Sequence, residues 1–263
     1  MTLYKYGWHN LTISSYFAKP KQLSIMNISI LDSYERISQQ AASLIIKQLR
    51  EKKNLLLCAA TGNTPTRTYQ LLVQEYAHHP KLFSELRVIK LDEWGGIPLN
   101  DPATCETYLQ ENLIKPLHIK GSGYFAFNSQ PKDREIECKQ RQVELDKNGP
   151  IDVCLLGLGL NGHIALNEPS ISLEPHIHVA RLSETTLQHS MVEAMGTKPS
   201  FGLTLGIADI LHSKSIILMI SGSNKREIVQ TLLAGNVTTA LPASFLWLHP
   251  NVTCLLDKEA GGQ

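Results

Sequence analysis

The stretch NLLLCAATGNTP, residues 54–65, decides the fold. Its first seven residues form a short continuous apolar run, as expected of a strand covered on both faces. TGNTP then supplies a flexible turn that ends with Thr64 as an N-cap and Pro65 at the first helical position, so the segment predicts strand, loop, helix. Upstream, NISIL (27–31) is strand-like. Asp32 with Glu35 three residues later reads as a helix start, and Ile37, Ala41, Leu44, Ile45 and Leu49 keep a helical period to about Lys52. Downstream the same signals recur. LRVIKL (86–91) precedes DEWGGIPLNDP and a helix from about 103, IDVCLLGLG (151–159) precedes a glycine-bearing loop, and SIILMIS (215–221) precedes GSNKREIVQTLL. The polar run KDREIECKQRQVELDKNG reads as an exposed helix. This alternation predicts an α/β fold, a single domain with a doubly wound, mostly parallel sheet and helices on both faces, Rossmann-like in its layering.

The bulk numbers agree. The chain has 263 residues, 43% hydrophobic and 19% charged, enough to bury a sizeable core in one domain spanning 26–263. Twenty-five Lys+Arg against 24 Asp+Glu leave a formal charge of +1, which excludes a general electrostatic footprint for nucleic acid or a membrane surface. Cys58, Cys105, Cys138, Cys154 and Cys254 form no CxxC pair, and Cys58 and Cys154 fall inside apolar runs. They read as reduced core thiols in a cytoplasmic protein. No apolar stretch approaches the ~20 residues of a membrane span, and there is no signal-peptide pattern. Residues 1–25 have no clear period and read either as a disordered extension outside the domain or as an over-long start of the chain.

In open parallel sheets, ligands bind at the carboxyl ends of strands where the strand order reverses, so the loops beginning at Thr61, Asp92, Gly157 and Ser221 are candidates for one crevice. Thr61, Gly62, Asn63 and Thr64 offer hydroxyls and a flexible turn before a helix, where free amides attract anions. Alone, they read equally well as a turn and cap. Lys225, in the first turn after Gly222, opposes the helix dipole unless an anion joins it; otherwise it is a surface lysine. LDEW places Asp92 and Glu93 at a strand end with side chains on opposite sides, and Asp92 is the choice for a general base in the crevice, against a plain loop-entry role. GLGLNGHIALNEPS (157–170) is the richest segment. His163 can take and give a proton near neutrality, and Glu168 is near enough to orient its other nitrogen. His176 and His178 lack further ligands at metal spacing, and no GxSxG elbow is present.

Taken together, TGNTP, LDEW, GLGLNGHIALNEP and GSNK resemble the amino-sugar-phosphate deaminase/isomerase family, the group that contains glucosamine-6-phosphate deaminase, from about residue 27 to 256. LDEW, TCETYLQ (104–110) and SFLWLH (244–249) are most similar to its galactosamine-6-phosphate branch. The resemblance implies conversion of a 2-amino-2-deoxyhexose 6-phosphate to a ketohexose 6-phosphate plus ammonia, with no cofactor and no metal. It implies that His163, oriented by Glu168, opens the sugar ring and that Asp92 moves a proton from C2 to C1. Asn161 stands where the glucosamine enzymes commonly carry an Asp. The implied substrate-binding set is Thr61, Gly62, Asn63, Thr64, Gly159 and Lys225. The family's phosphate-binding arginine has no counterpart in the helix expected at about 184–195, and Asn63 replaces a common Gly. The implied partner is a phosphorylated amino sugar, with homo-oligomerisation left open. The rival readings are a 6-phosphogluconolactonase, against which NEP speaks, and a non-catalytic sugar-phosphate sensor, against which Asp92, His163 and Glu168 speak.

Overall fold

The computed structural model describes residues 26–98, 101–188, 192 and 195–262. In chain order the elements are β1 (Asn27–Leu31), α1 (Tyr34–Glu51), β2 (Leu56–Ala59), α2 (Asn63–His78), β3 (Arg87–Lys90), β4 (Asp92–Gly95), α3 (Cys105–Leu109), β5 (Tyr124–Phe125) and α4 (Arg134–Asn148). There follow β6 (Val153–Leu156), β7 (His178–Ala180), α5 (Glu184–Leu187), β8 (Phe201–Thr204), α6 (Ile207–Leu211), β9 (Ser215–Ile220), α7 (Arg226–Leu233), β10 (Val252–Asp257) and α8 (Lys258–Gly261).

Seven strands form one sheet in the order β1-β10-β9-β6-β2-β3-β5, every neighbouring pair parallel. From β2 the chain steps outward through β3 to β5, then returns to the other side of β2 and steps through β6, β9 and β10. The order therefore reverses between β2 and β6, which is where a crevice opens at the carboxyl edge. Successive strand residues point to opposite faces. Leu57 and Ala59 of β2 join Leu155, Ile217 and Leu255 in a cluster under α1 and α2, while Leu56 and Cys58 join Cys154, Leu218 and Leu256 in a second cluster under α6 and α7. Burial of one Leu or Ile is worth roughly 1.5–3 kcal/mol, against a full spread of about 1 kcal/mol in strand propensity. LLCA is thus a strand because both its faces are covered, though none of its residues is β-branched.

A second sheet of order β4-β8-β7 is antiparallel, with Asp92 opposite Thr204, Gly95 opposite Phe201 and His178 also opposite Thr204. The fold is thus mostly parallel, as expected, but DEWG belongs to this small sheet and is not simply loop. A Cβ at Gly95 would lie 2.1 Å from Phe201 Cε2, so only glycine lets β4 and β8 close on that ring.

Three boundaries differ from the sequence expectation. Ser33, not Asp32, caps α1 by accepting from Arg36 N at 3.3 Å; Asp32 pairs instead with Lys258 at 2.7 Å, and Glu35 with Arg67 at 2.6 Å. Helix α2 starts at Asn63 with Gly62 as its cap, because Gly62 turns the chain at φ 92° two residues before Thr64. Of the helix expected at 184–195, α5 covers Glu184–Leu187, and part of the remainder lies outside the described residues, as do residues 1–25. The polar run is helix α4, capped by Asp133. Among the described residues, no helix is long and apolar enough to cross a membrane.

Candidate active site

The four predicted loops meet at the carboxyl edge of the large sheet. After β2, Gly62 adopts φ 92° and ψ −172° and presents the start of the 16-residue α2 with no side-chain cap. The first amides of α2 are thereby left for an anion. Thr64 Oγ1 faces the loop after β6: a Cβ at Gly157 would sit 3.8 Å from it. Lys225 reaches the same loop from the far side, its Nζ donating to the Leu158 carbonyl at 2.6 Å, and burial lowers its pKa. Thr61 turns its hydroxyl the other way, donating to Cys105 Sγ at 3.2 Å.

The loop after β6 is shaped around His163. A Cβ on Gly159 would lie 2.4 Å from His163 Cε1, so the imidazole rests directly on that glycine. Gly159 is thus the seat of the ring. Gly162 adopts φ 84°, and its missing Cβ makes room for Leu241. Ala165 holds φ 53°, a left-handed conformation that L residues with a Cβ seldom adopt and that marks local backbone strain.

Asn161 links the ring to the carboxylate. Its Nδ2 donates to Glu168 Oε2 at 2.8 Å and its Oδ1 lies 2.7 Å from His163 Nδ1. Because the carboxylate can only accept, the amide nitrogen must face Glu168, the amide oxygen must face the ring, and Nδ1 must carry the proton. The neutral ring then has its lone pair on Nε2. Glu168 itself is 3.5 Å from Nδ1, so the direct contact expected from the sequence is the longer of the two. Thr186 donates its hydroxyl to Glu168 Oε1, and Ser183 N donates to the same oxygen at 3.3 Å. Burial works against the Glu168 charge, but the His163 ring, Thr186 and Asn161 outweigh it and hold the carboxyl at about 2.

Asp92 opens β4 and is half-buried. Burial first, and the neighbouring Glu93 second, raise its pKa to about 7 against the opposing pull of Lys90 and the Cys105 thiol. Cys105 Sγ lies 3.9 Å from Asp92 Oδ1. Opposite Asp92 is Thr204, whose Oγ1 accepts from Leu166 N at 3.1 Å and so ties the small sheet to the His163 loop. Glu93 is fully buried on the other side of the strand, as alternation requires.

The sequence reading did not identify Thr186, Ser183, Cys105 or Lys90. Ser183 does carry a local signal, since Ser at an N-cap with Thr186 at N3 is a helix-start pattern. His176 bonds Asp209 at 3.1 Å and His178 bonds the His176 carbonyl at 2.8 Å. Among the described residues, no group of three or more His, Cys, Asp or Glu side chains is placed to hold a metal ion.

Comparison with known proteins identifies relatives along most of the chain. A family model described as glucosamine-6-phosphate isomerases/6-phosphogluconolactonase matches residues 32–255. The putative deaminase AgaI of Escherichia coli (strain K12) is 38% identical over 233 residues, 89% of this chain and 92% of that protein. Glucosamine-6-phosphate deaminase 1 of Bacillus subtilis (strain 168) is 37% identical over 237 residues, 89% of this chain and 98% of that protein. A solved monomeric glucosamine-6-phosphate deaminase superposes with a TM-score of 0.85 at 36% identity, covering 90% of this chain and 99% of that one. The 6-phosphogluconolactonase of Trypanosoma brucei shares the fold, with a TM-score of 0.74 at 23% identity over 90% of this chain and 98% of that one. On motif, fold and relatives alike, the chain belongs to the glucosamine-6-phosphate isomerase/6-phosphogluconolactonase family.

Proposed function

We propose that this protein is a deaminating aldose–ketose isomerase that converts galactosamine 6-phosphate or glucosamine 6-phosphate to the ketohexose 6-phosphate and ammonia. The observation that carries the reading is the meeting, at one sheet edge, of two proton-transfer groups with different settings. Asp92 is a carboxylate raised to about 7, and His163 is an imidazole with Nδ1 committed as donor. A carboxylate poised near neutrality is suited to general acid–base work, and an imidazole with Nδ1 held as donor leaves Nε2 free to accept a proton. Relatives at 36–38% identity over about nine-tenths of the chain that carry deaminase names support the same chemistry.

In this reading the C6 phosphate sits on the first amides of α2, with Gly62, Asn63 and Thr64, and beside Lys225. His163 Nε2 takes the proton of the anomeric hydroxyl and returns it to the ring oxygen, so the pyranose opens to an aldehyde. Asn161 and Glu168 hold the ring and balance the charge that it gains. Asp92 removes the proton from C2 while O1 takes a proton from the substrate's ammonium, giving an enolamine, and then delivers the C2 proton to C1, leaving a C2 iminium. Water adds to C2 and ammonia leaves, so one water is consumed for each ammonia released. Residues 26–263 act as one sugar-phosphate domain, and the five free, buried cysteines suit a reducing, cytoplasmic setting.

The test is ammonia release by the purified protein from galactosamine 6-phosphate and glucosamine 6-phosphate in parallel, without added metal or cofactor. Release is expected from at least one, and the ratio of kcat/KM values identifies the preferred C4 epimer. Silence from both in folded protein, accompanied by hydrolysis of 6-phosphogluconolactone, would replace the deaminase by the lactonase.

A further inference from the structure

Beneath Asp92 lies a buried charge cluster to which the proposed chemistry gives no role. Lys90, at the end of β3, is completely buried. Its Nζ donates to Glu93 Oε2 at 2.6 Å, to Glu106 Oε2 at 2.9 Å and to the Phe127 carbonyl at 3.0 Å. Three N–H donors thus meet three acceptors, which fixes the ammonium in place. Burial disfavours its charge, yet Glu93 and Glu106 outweigh burial and raise its pKa.

Glu93 is held just as firmly. Its Oε1 accepts from Trp94 N at 2.8 Å and Cys105 N at 3.0 Å, and its Oε2 also accepts from Glu106 N at 2.9 Å. Those amides hold the carboxylate in place and pin the start of α3 to β4. A buried ion pair is poor evidence for stability, because well-packed apolar residues of similar volume often do as well or better. The retained charges therefore point to another use.

Asp92 lies between the two partners in sequence. Glu93, on its own strand, pushes its carboxyl toward the protonated form; Lys90 from β3 and the Cys105 thiol from α3 oppose this. From β8 it faces Thr204, which does not titrate, and Cys58 of β2 and Tyr69 of α2, which also feel its charge, are held neutral by burial.

We propose that Lys90 is a positioning residue for the Asp92 base: its buried ammonium, bonded to Glu93 and Glu106, anchors β4 and the start of α3 and supplies the positive charge that opposes Glu93 at Asp92. The inference rests on the reading of Asp92 as the base. Without Lys90, the charge of Glu93 would act on Asp92 unopposed, and the carboxylate would form only at higher pH. Without Glu93, the shift would run the other way.

The experiment compares K90Q, E93Q and the K90Q/E93Q pair with the unaltered protein. Two quantities are read: the Asp92 carboxyl titration, by carbon-13 NMR of aspartate-labelled protein with the signal assigned by its loss in D92N, and the acidic limb of kcat/KM for ammonia release. K90Q is expected to move both upward by about one pH unit or more, E93Q to move both downward by a similar amount, and the pair to fall between them. Loss of packing alone would lower activity at every pH without moving the limb. If K90Q does not fold, E93Q and the charge-neutral pair still decide. Shifts of equal sign in E93Q and K90Q, an E93Q titration that stays in place, or a pair that fails to reverse the E93Q shift would overturn the proposal. Ammonia release retained in D92N would overturn the base assignment instead, and the two failures are separable because the titration is read without turnover.

Discussion

Asparagine and aspartate differ at position 161 by one group, and the geometry makes that difference chemical. The amide donates to Glu168 at 2.8 Å while its oxygen meets His163 Nδ1 at 2.7 Å. A carboxylate there would set two anionic oxygens at that same 2.8 Å, so the cluster would have to take up a proton. With the amide, Glu168 keeps its charge and the ring keeps its lone pair on Nε2. Replacing Asn161 by Ala removes the acceptor that selects the tautomer, and Glu168 at 3.5 Å is too far to substitute fully. N161A is therefore expected to lower kcat about a hundredfold with little change in KM, as steady-state ammonia release would show. A kcat within about threefold of the unaltered enzyme would remove Asn161 from the machinery. Asn161, His163 and Glu168 could be read together because they share one short loop. Thr186 and Ser183 could not, since they enter from a separate segment after β7 and only the folded chain sets them on Glu168.

Strand β2 and helix α2 were readable from a dozen residues because both depend on local pattern: a charge-free run, then a turn. Their junction was not. Pro65 suits a first helical position, which pointed to Thr64 as the cap, but Gly62 reaches φ 92° and ψ −172°, a region nearly closed to residues with a Cβ. The chain therefore turns earlier and α2 offers its first amides at the crevice. Strand β4 was missed for the opposite reason. Its pairing is non-local, Asp92 to Gly95 lying against Phe201 to Thr204 across about a hundred residues of sequence. DEWG carries little strand character of its own. Replacing Gly62 by Ala forces a Cβ into the strained turn, at an expected cost of about 1–3 kcal/mol in thermal or urea unfolding. If the first turn of α2 holds the phosphate, KM for the sugar phosphate rises as well, while kcat at saturation falls less. A destabilised G62A with unchanged KM would move the phosphate away from this helix.

The order of the large sheet, unlike its strand content, was beyond reach from sequence, since reversal between β2 and β6 depends on which crossovers pack on which face. That reversal gathers Asp92, Glu106 and Glu168 around the carboxyl edge, Asp152 lies just before β6 at the amino edge, and their shifts oppose one another in the stability of the whole molecule. Glu168 is held at about 2, and Asp152, despite burial, is held low by Lys214 and Lys52; Glu106 is held low chiefly by Lys90. A carboxyl depressed in the folded state contributes stability above its unfolded value and loses it as pH falls toward the folded one. Glu168 therefore weakens the fold as pH falls from about 4.5 to about 2, and Asp152 and Glu106 act in the same direction. Asp92 has the reverse sign. Its folded pKa, about 7, lies above the ordinary 3.8, so its contribution is complete below 3.8, is lost progressively as pH rises to 7, and changes little beyond. Replacing Asp92 by Asn removes only this second component. In thermal melts across the pH range, D92N is expected to melt above the unaltered protein at about pH 8, the gap closing as pH falls toward 4, with both proteins sharing the same acid limb below that. Titrating groups that do not feel the Asp92 charge cancel in the difference. Parallel curves with no narrowing gap would show that Asp92 ionises in the fold as freely as in water, and so lacks the raised affinity for a proton that its proposed part in catalysis requires.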